Sequence, residues 1–333
     1  MSRTAVLAGV GGYVPPRRVT NAELAPGLGT DDGWIRTRTG IRERRWADAG
    51  TTTGDLAAEA GQRALKSAGV SDADLVILAT STGNQPMPAT APEVAAMLGL
   101  GQVAAYDVSA ACAGFVYALT AAAGAIAIGV ADRVLVIGAD LWSTRLDPAD
   151  RSTAIIFGDG AGAVVLRAGT AGERGALLGF DAGSDGDRRA LAVVPGGGSR
   201  QRSAPHLAEL ANEYLTMQGR DLFTQAVERM AASSERLLRR VGWTGADVDK
   251  CVAHQANVRI LHTVADLLDV GRDRMLTNLD RVGNTSAASI PLLLSEAGAD
   301  GRLRGGDRVL LTAFGGGLSW ASAALVWPAL TER

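Results

Sequence analysis

Apolar residues recur along this chain in two alternating rhythms, short strand-like runs and longer stretches of helical period. In the first half Asp74-LVILAT, Ala104-AYDV and Arg133-VLVIG read as strands, while Leu56 to Ala68 and Ala91 to Leu100 read as helices. The second half repeats the alternation. Met217 to Val241 reads as a helix, Val248 to Ala253 as a strand, Val258 to Leu268 as a helix and Arg308 to Phe314 as a strand. The apolar run AVLAGVGGYV near the start has no cationic lead-in and runs into Pro15-Pro16-Arg17-Arg18, so it reads as a first strand and not as a leader. Val108 to Ala131 carries no charge and is long enough to cross a bilayer. Its many Ala and Gly residues make it only weakly hydrophobic, and they predict instead a helix buried on all sides within an α/β core.

The two halves also align in detail. Ser71-Asp-Ala-Asp precedes one strand and Thr244-Gly-Ala-Asp its counterpart, and both halves close on a glycine turn, Phe157-GDGAGAVVL and Phe314-GGGLSW. Cys112 lies 39 positions beyond Ala73 and Asn284 lies 38 beyond Ala246, so the register equates the turns holding these two residues. The expectation is a duplicated α/β protein, with residues 1–170 carrying Cys112 and residues 171–333 carrying His254 and Asn284.

Composition narrows the functions open to such a chain. Its 333 residues exceed one ordinary core, and 47% apolar residues with 42 glycines describe a globular protein rich in tight turns. The 33 basic and 35 acidic residues leave a net charge of -2, so no global field draws nucleic acid or an anionic membrane. Cys112 and Cys251 lack the spacing of a metal site or a disulfide framework, which points to a reducing cytoplasm.

The candidate chemistry sits at strand ends. Cys112, in Asp107-VSAACAGF, lies where a strand gives way to the uncharged helix, and a thiol at a helix N-terminus meets N–H groups and a positive dipole end that favour thiolate. The alternative is a small apolar cysteine in a core helix, the reading kept for Cys251. His254 directly follows a strand, whereas His206 and His262 fall in a loop and mid-helix and read as surface residues. Asn284, in Val282-Gly-Asn-Thr-Ser, offers an amide at its turn and is otherwise a helix N-cap. Brought together, the three supply one nucleophile and two hydrogen-bond donors for an oxygen gaining charge, a thiol-based acyl-transfer site.

These segments resemble the ketoacyl synthase III group of the thiolase superfamily over nearly the whole chain. The resemblance rests on Trp34-IRTRTGIRERR, Ala110-ACAGF, Asp150-RSTAIIFGDGAGAV, Met217-QGRDLFTQAV, His254-QANVRI, Gly283-NTSAASIP and Phe314-GGGLSW, in that order. It implies a duplicated five-layer α-β-α-β-α fold, a homodimer, and a decarboxylative condensation of an acyl-coenzyme A starter with malonyl-acyl carrier protein to a 3-ketoacyl product. Cys112 would carry the acyl group, with the N–H groups of Cys112 and Gly316 as oxyanion hole, while His254 and Asn284 hold the enolate. Trp34 and Arg151 would sandwich the adenine of coenzyme A, with Arg38 near its phosphates and Asn257 at its pantetheine arm. Phe157, Phe314 and Trp142 would line the acyl pocket, with Met87 supplied by the neighbouring subunit, and Arg259 would meet the carrier protein. Arg42, Arg44 and Arg45 are left as solvated surface. No metal or redox cofactor is implied.

Some positions depart from the family pattern. Trp142 stands where relatives have a smaller aliphatic residue, which predicts a preference for short or branched acyl groups. Thr224, Asp266 and Leu267 stand where lysines are common, which weakens the basic docking face. Two other functions share the scaffold: an acyltransferase that moves the Cys-bound group without decarboxylation, and a non-catalytic acyl-binding partner subunit. Retention of Cys112, His254 and Asn284 together favours condensation over both.

Overall fold

The computed structural model describes residues 3–207 and 211–330. Five strands, β1 (Thr4–Tyr13), β2 (Leu75–Ala79), β3 (Ala104–Val108), β4 (Arg133–Asp140) and β5 (Gly160–Gly169), form one sheet in the order β1-β5-β4-β2-β3. In it β2 runs parallel to β3 and β4, and β5 antiparallel to β4 and β1. A second sheet repeats that connectivity with β6 (Leu177–Ser184), β7 (Lys250–Ala253), β8 (Arg308–Gly315) and β9 (Ser319–Val326), ordered β7-β8-β9-β6. The place of β3 is taken there by an isolated parallel bridge between Cys251 and Met275. The chain passes from one sheet to the other between Gly169 and Leu177.

Seven helices build the other layers: α1 (Asp32–Thr39), α2 (Thr53–Ala68), α3 (Ala91–Met97), α4 (Gly114–Ala127), α5 (Gly219–Val241), α6 (Val258–Leu267) and α7 (Ser289–Ala299). Helices α2 and α3 cover the outer face of the first sheet, and α5 covers the outer face of the second with α6 beside it. Helices α4 and α7 lie between the sheets, giving the expected order of helix, sheet, helix, sheet, helix.

Local chemistry accounts for these elements. Strand β2 is buried at every position, as a parallel strand covered on both faces must be. Helix α2 starts at a capping box of Thr52 and Asp55, ends at Gly69 in the left-handed region, and buries the stripe Leu56, Ala60 and Ala64 against the sheet. Helix α4 is shorter than the uncharged run that contains it, because Val108 to Ala113 complete β3 and the turn beyond it. No helix among the described residues is long and apolar enough to cross a membrane.

Close approach between the halves is purchased with glycine at two points on the first sheet. A Cβ on Gly138 would stand 2.2 Å from the Ala287 carbonyl oxygen, and one on Gly162 would stand 2.3 Å from the Leu292 nitrogen. Both contacts seat α7 and the turn before it against β4 and β5, which brings that turn beside Cys112.

Two expectations need correction. The turns Ala111–Ala113 and Ser286–Ala288 precede α4 and α7 and open with Ala111 and Ser286 in the left-handed region, at φ 45° and 52°. Cys112 is therefore matched by Ala287, and Asn284 stands earlier in its turn. Counting positions found the matching turns but not the residue-by-residue match within them, because loop lengths drift independently in the two halves. Second, Arg42 is exposed and Arg45 partly so, but Arg44 is fully buried. It lies in a short strand, Glu43–Arg45, paired with Arg18–Thr20, and the pleat turns its side chain inward. Its guanidinium donates to the Val19 and Ile155 carbonyls and to Asn21 Oδ1, and burial draws its pKa down to about 10. The Ile155 contact pins the segment leading to Phe157.

Candidate active site

Cys112 follows β3 in the short turn before α4. Gly315, at the end of β8, packs against it so tightly that a Cβ there would come 2.5 Å from the Cys112 nitrogen. The thiol contacts Ser286 Oγ at 3.5 Å. Burial pushes the thiol up to about 12; the contact with Ser286 and the residue's own backbone N–H oppose that rise, and the carboxylate of Asp140 adds to it. A thiol raised that far is protonated at physiological pH, unlike the ready thiolate expected from its place ahead of a helix. Desolvation outweighs the helix terminus here, and the helix proper begins only at Gly114.

His254 leaves the end of β7, its backbone N–H donating to the Thr312 carbonyl at 2.9 Å. Its ring is buried, with Nδ1 3.1 Å from Ser289 Oγ, and that oxygen already accepts the Gln255 N–H at 2.7 Å. Among the described residues His254 is the only acceptor left for the Ser289 proton. The network therefore assigns the ring proton to Nε2, which makes the imidazole a donor. Burial lowers its pKa from 6.5 to about 3, so it stays neutral at physiological pH.

That shift has a stability consequence. Below pH 6.5 the unfolded chain takes up a proton that folded His254 refuses, so the unfolded state binds more protons and stability falls with pH. The wild type should lose roughly 1.4 kcal/mol per pH unit from this group between pH 6.5 and about pH 4. Urea unfolding across that range should show a shallower acid loss in His254→Gln; parallel curves for the two proteins would refute the assignment.

Asn284 is fixed by three backbone contacts. Its N–H donates to the Ile156 carbonyl at 2.9 Å, its carbonyl accepts Gly158 N–H at 3.0 Å, and its Oδ1 accepts Ser286 N–H at 2.8 Å. The side-chain acceptor is thereby engaged, leaving the Nδ2 donor.

These residues line one cavity of about 380 Å³ with Trp142, Phe157, Asn257, Phe314 and Gly316. A larger cleft, about 890 Å³, opens around Gly50, Glu59 and Lys66, but it is a wide outer groove that Cys112, His254 and Asn284 do not line. Sequence reading did not find the cavity's outer wall. The strand pair Ala192–Val193 and Thr216–Met217, with Leu215, closes it over Trp142 and Phe157. Those segments are too short and irregular to carry a periodic signal. Ser286 and Ser289 were also missed, although both stand within five positions of Asn284.

Other predicted residues lie at the cavity's edge or outside it. Trp34 lies on α1 with the guanidinium carbons of Arg38 and Arg151 each 4.8 Å from its ring centroid. Arg151 therefore occupies the face of Trp34 that stacking an adenine between them would require, and Arg38 stacks on the indole as well. Asn257 caps α6 through the Arg259 N–H at 2.9 Å and donates to the Arg38 carbonyl at 2.9 Å, which ties α1 to the cavity's edge. Arg259 is exposed. Met87 is 84% exposed and does not line its own chain's cavity. Cys251 and His206 are buried and exposed as expected, while His262 is partly buried.

A half-buried thiol, a buried imidazole and an amide line one apolar cavity, an arrangement whose chemistry is suited to acyl transfer. The model of 3-oxoacyl-[acyl-carrier-protein] synthase III matches residues 106–186, and its C-terminal counterpart matches residues 238–327. Over 99% of both chains, the sequence is 59% identical to beta-ketoacyl-[acyl-carrier-protein] synthase III 5 of Streptomyces coelicolor. The chain belongs to the ketoacyl synthase III family. The crystal structure of 3-oxoacyl-(acyl carrier protein) synthase III from Pseudomonas aeruginosa superposes with a TM-score of 0.93, at 49% identity and covering 99% of this chain and 100% of that one. The priming beta-ketosynthase of the R1128 polyketide pathway superposes at 0.92, with 34% identity and 99% and 98% coverage. The protein is thus a condensing acyltransferase on the thiolase-like fold that its two sheets describe.

Proposed function

We propose that the enzyme initiates fatty acid or polyketide synthesis by loading an acyl group from acyl-coenzyme A onto Cys112 and condensing it with malonyl-acyl carrier protein. The observation that carries this reading is the shared cavity of Cys112, His254 and Asn284. In the first half-reaction the thiol attacks the acyl thioester, and the N–H groups of Cys112 and Gly316 receive the oxyanion. In the second, Nε2–H of His254 and Nδ2–H of Asn284 hold the malonyl thioester oxygen as carbon dioxide leaves, and the enolate carbon attacks the acyl-enzyme. Donors that meet charge only as it develops lower the barrier, because they bind the transition state better than the substrate. Every developing charge has a donor, so the chemistry needs no metal or redox cofactor.

Coenzyme A reaches its place by displacing Arg151 from Trp34, and Arg38 then turns to the phosphates. Arg259 offers the carrier protein an exposed cation. A homodimer is favoured by β3, an edge strand with Ala104 and Tyr106 exposed, because a second copy pairing there would cover the edge and carry Met87 to the partner's cavity. The division at residue 170 fits two descended halves, and two unpaired thiols suit a reducing cytoplasm.

Trp142 narrows the choice of starter. Its indole is buried and stacks at 5.2 Å on Phe157 across the acyl wall, which leaves room for a short or branched chain. Incubation with acyl-coenzyme A donors of increasing length and malonyl-carrier protein, read by intact mass and product analysis, should give Cys112 adducts and 3-ketoacyl products with short or branched starters only. Trp142→Ala should extend the range. Transfer of the acyl group without carbon dioxide release would move the reading to simple acyl transfer, and efficient loading of a long straight chain would remove the role given to Trp142.

A further inference from the structure

Residues 155–159 run between two clamps. On one side Asn284 donates its N–H to the Ile156 carbonyl at 2.9 Å and accepts the Gly158 N–H at 3.0 Å, which makes a parallel bridge between Phe157 and Asn284. On the other side the segment Arg44–Trp46 holds the groups that Asn284 leaves. The Arg44 guanidinium donates to the Ile155 carbonyl at 2.5 Å and the Trp46 indole N–H to the Phe157 carbonyl at 3.1 Å, while the Arg45 carbonyl accepts the Asp159 N–H at 2.7 Å. Packing there is close, since a Cβ on Gly158 or Gly283 would stand 3.1 or 3.0 Å from the Arg44 Cβ. Another terminal nitrogen of Arg44 donates to the Val19 carbonyl at 3.2 Å and to Asn21 Oδ1 at 2.9 Å. Asn21 Nδ2 in turn donates at 2.9 Å to Asp32 Oδ1, in the first turn of the helix that carries Trp34.

Arg44 is fully buried, yet among the described residues no carboxylate is hydrogen-bonded to it and its Nε has no partner. A cation buried on neutral oxygens is harder to accommodate than an apolar side chain of the same volume, so filling space does not account for an arginine here. What the guanidinium adds is a rigid fork of donors that fixes direction.

We propose that Arg44 is the positioning residue for Asn284, holding residues 155–159 so that the amide of Asn284 stands where the enolate oxygen forms. The path is short. The peptide between Ile155 and Ile156 is planar, with its carbonyl on Arg44 and its N–H on the Thr153 carbonyl at 3.0 Å, and the next carbonyl along is the one that receives the Asn284 N–H. Because Asn284 Oδ1 is engaged locally with the Ser286 N–H, this backbone bridge sets where the whole turn, and with it Nδ2, stands in the cavity. A donor displaced by about 1 Å forfeits about 100-fold in rate. Arg44 itself touches no substrate.

The assignment rests on the enolate-holding role proposed for Asn284, and its test separates the two. Arg44→Met removes the donors and keeps an apolar stem. At saturating acyl-coenzyme A it should load Cys112 within several-fold of wild type, but release carbon dioxide from malonyl-carrier protein about 10-fold to about 100-fold more slowly, in kcat and not in KM. Arg44→Lys, with the charge but no fork, should fall between the two. Added to Asn284→Ala, Arg44→Met should slow carbon dioxide release by no more than about twofold further, because nothing remains to be positioned. A purely structural role would instead multiply the two losses, or lower loading and decarboxylation equally, and either result overturns the proposal. Should Arg44→Met not fold, Arg44→Lys is read in the same double-mutant cycle with the same outcomes. Carbon dioxide release at the wild-type rate in Asn284→Ala sinks the role of Asn284 and this proposal with it, whereas a blocked Asn284→Ala beside a normal Arg44→Met overturns the role of Arg44 alone.

Discussion

Cys112→Ala should form no acyl adduct with any acyl-coenzyme A, while Asn284→Ala should load within several-fold of wild type and lose at least about 100-fold in decarboxylation of malonyl-carrier protein. The split follows from where the donors stand. Cys112 carries the only thiol lining the cavity, and in the proposed reaction its attack uses backbone N–H groups that Asn284 does not supply. The amide of Asn284 has its oxygen committed to the Ser286 N–H, so what truncation removes from the chemistry is the Nδ2 donor. Intact-mass measurement of loading and carbon dioxide release from a pre-acylated enzyme separate the two half-reactions. Equal loss of both in Asn284→Ala would mean that the residue serves the turn and not the enolate.

Gly315→Ala should lower acylation by about 100-fold to about 1000-fold, the size of a lost oxyanion donor, with little change in secondary structure. The added methyl would stand 2.5 Å from the Cys112 nitrogen and 3.2 Å from the Ala113 nitrogen. Both are backbone atoms that cannot rotate away, so the turn must shift and take the Cys112 N–H with it. Burst amplitude and rate of acylation at saturating donor, beside the far-ultraviolet circular dichroism spectrum, test this. Wild-type acylation in the folded variant would show that the turn has slack and that the Cys112 N–H does not set the rate.

The alternation of strands and helices was legible because buried parallel strands such as Leu75–Ala79 must be apolar throughout, and outer helices such as Thr53–Ala68 must carry an apolar stripe and caps. Repetition of that pattern announced two similar sheets. Cys112, His254 and Asn284 were legible as candidates from their places in turns between elements. Their partners were not. Ser286 and Ser289 are common residues in an ordinary turn, and nothing local says that one meets Cys112 and the other His254, 174 and 35 positions away. Arg44 was misread for a similar reason, since a charged residue among surface arginines gives no sign that a three-residue strand turns it inward.

By itself the sequence determined the layered duplicated fold and the family, and it singled out the three side chains proposed to react, because these depend on periodicity and on residue types in the turns between elements. Only the tertiary structure decided the protonation of the site and the closure of its approaches. Desolvation of Cys112 and His254, the like charge of Asp140 and the closed stack of Arg151 on Trp34 are properties of groups brought together from distant parts of the chain. Their energies depend on what surrounds each atom, which no local pattern of residues specifies.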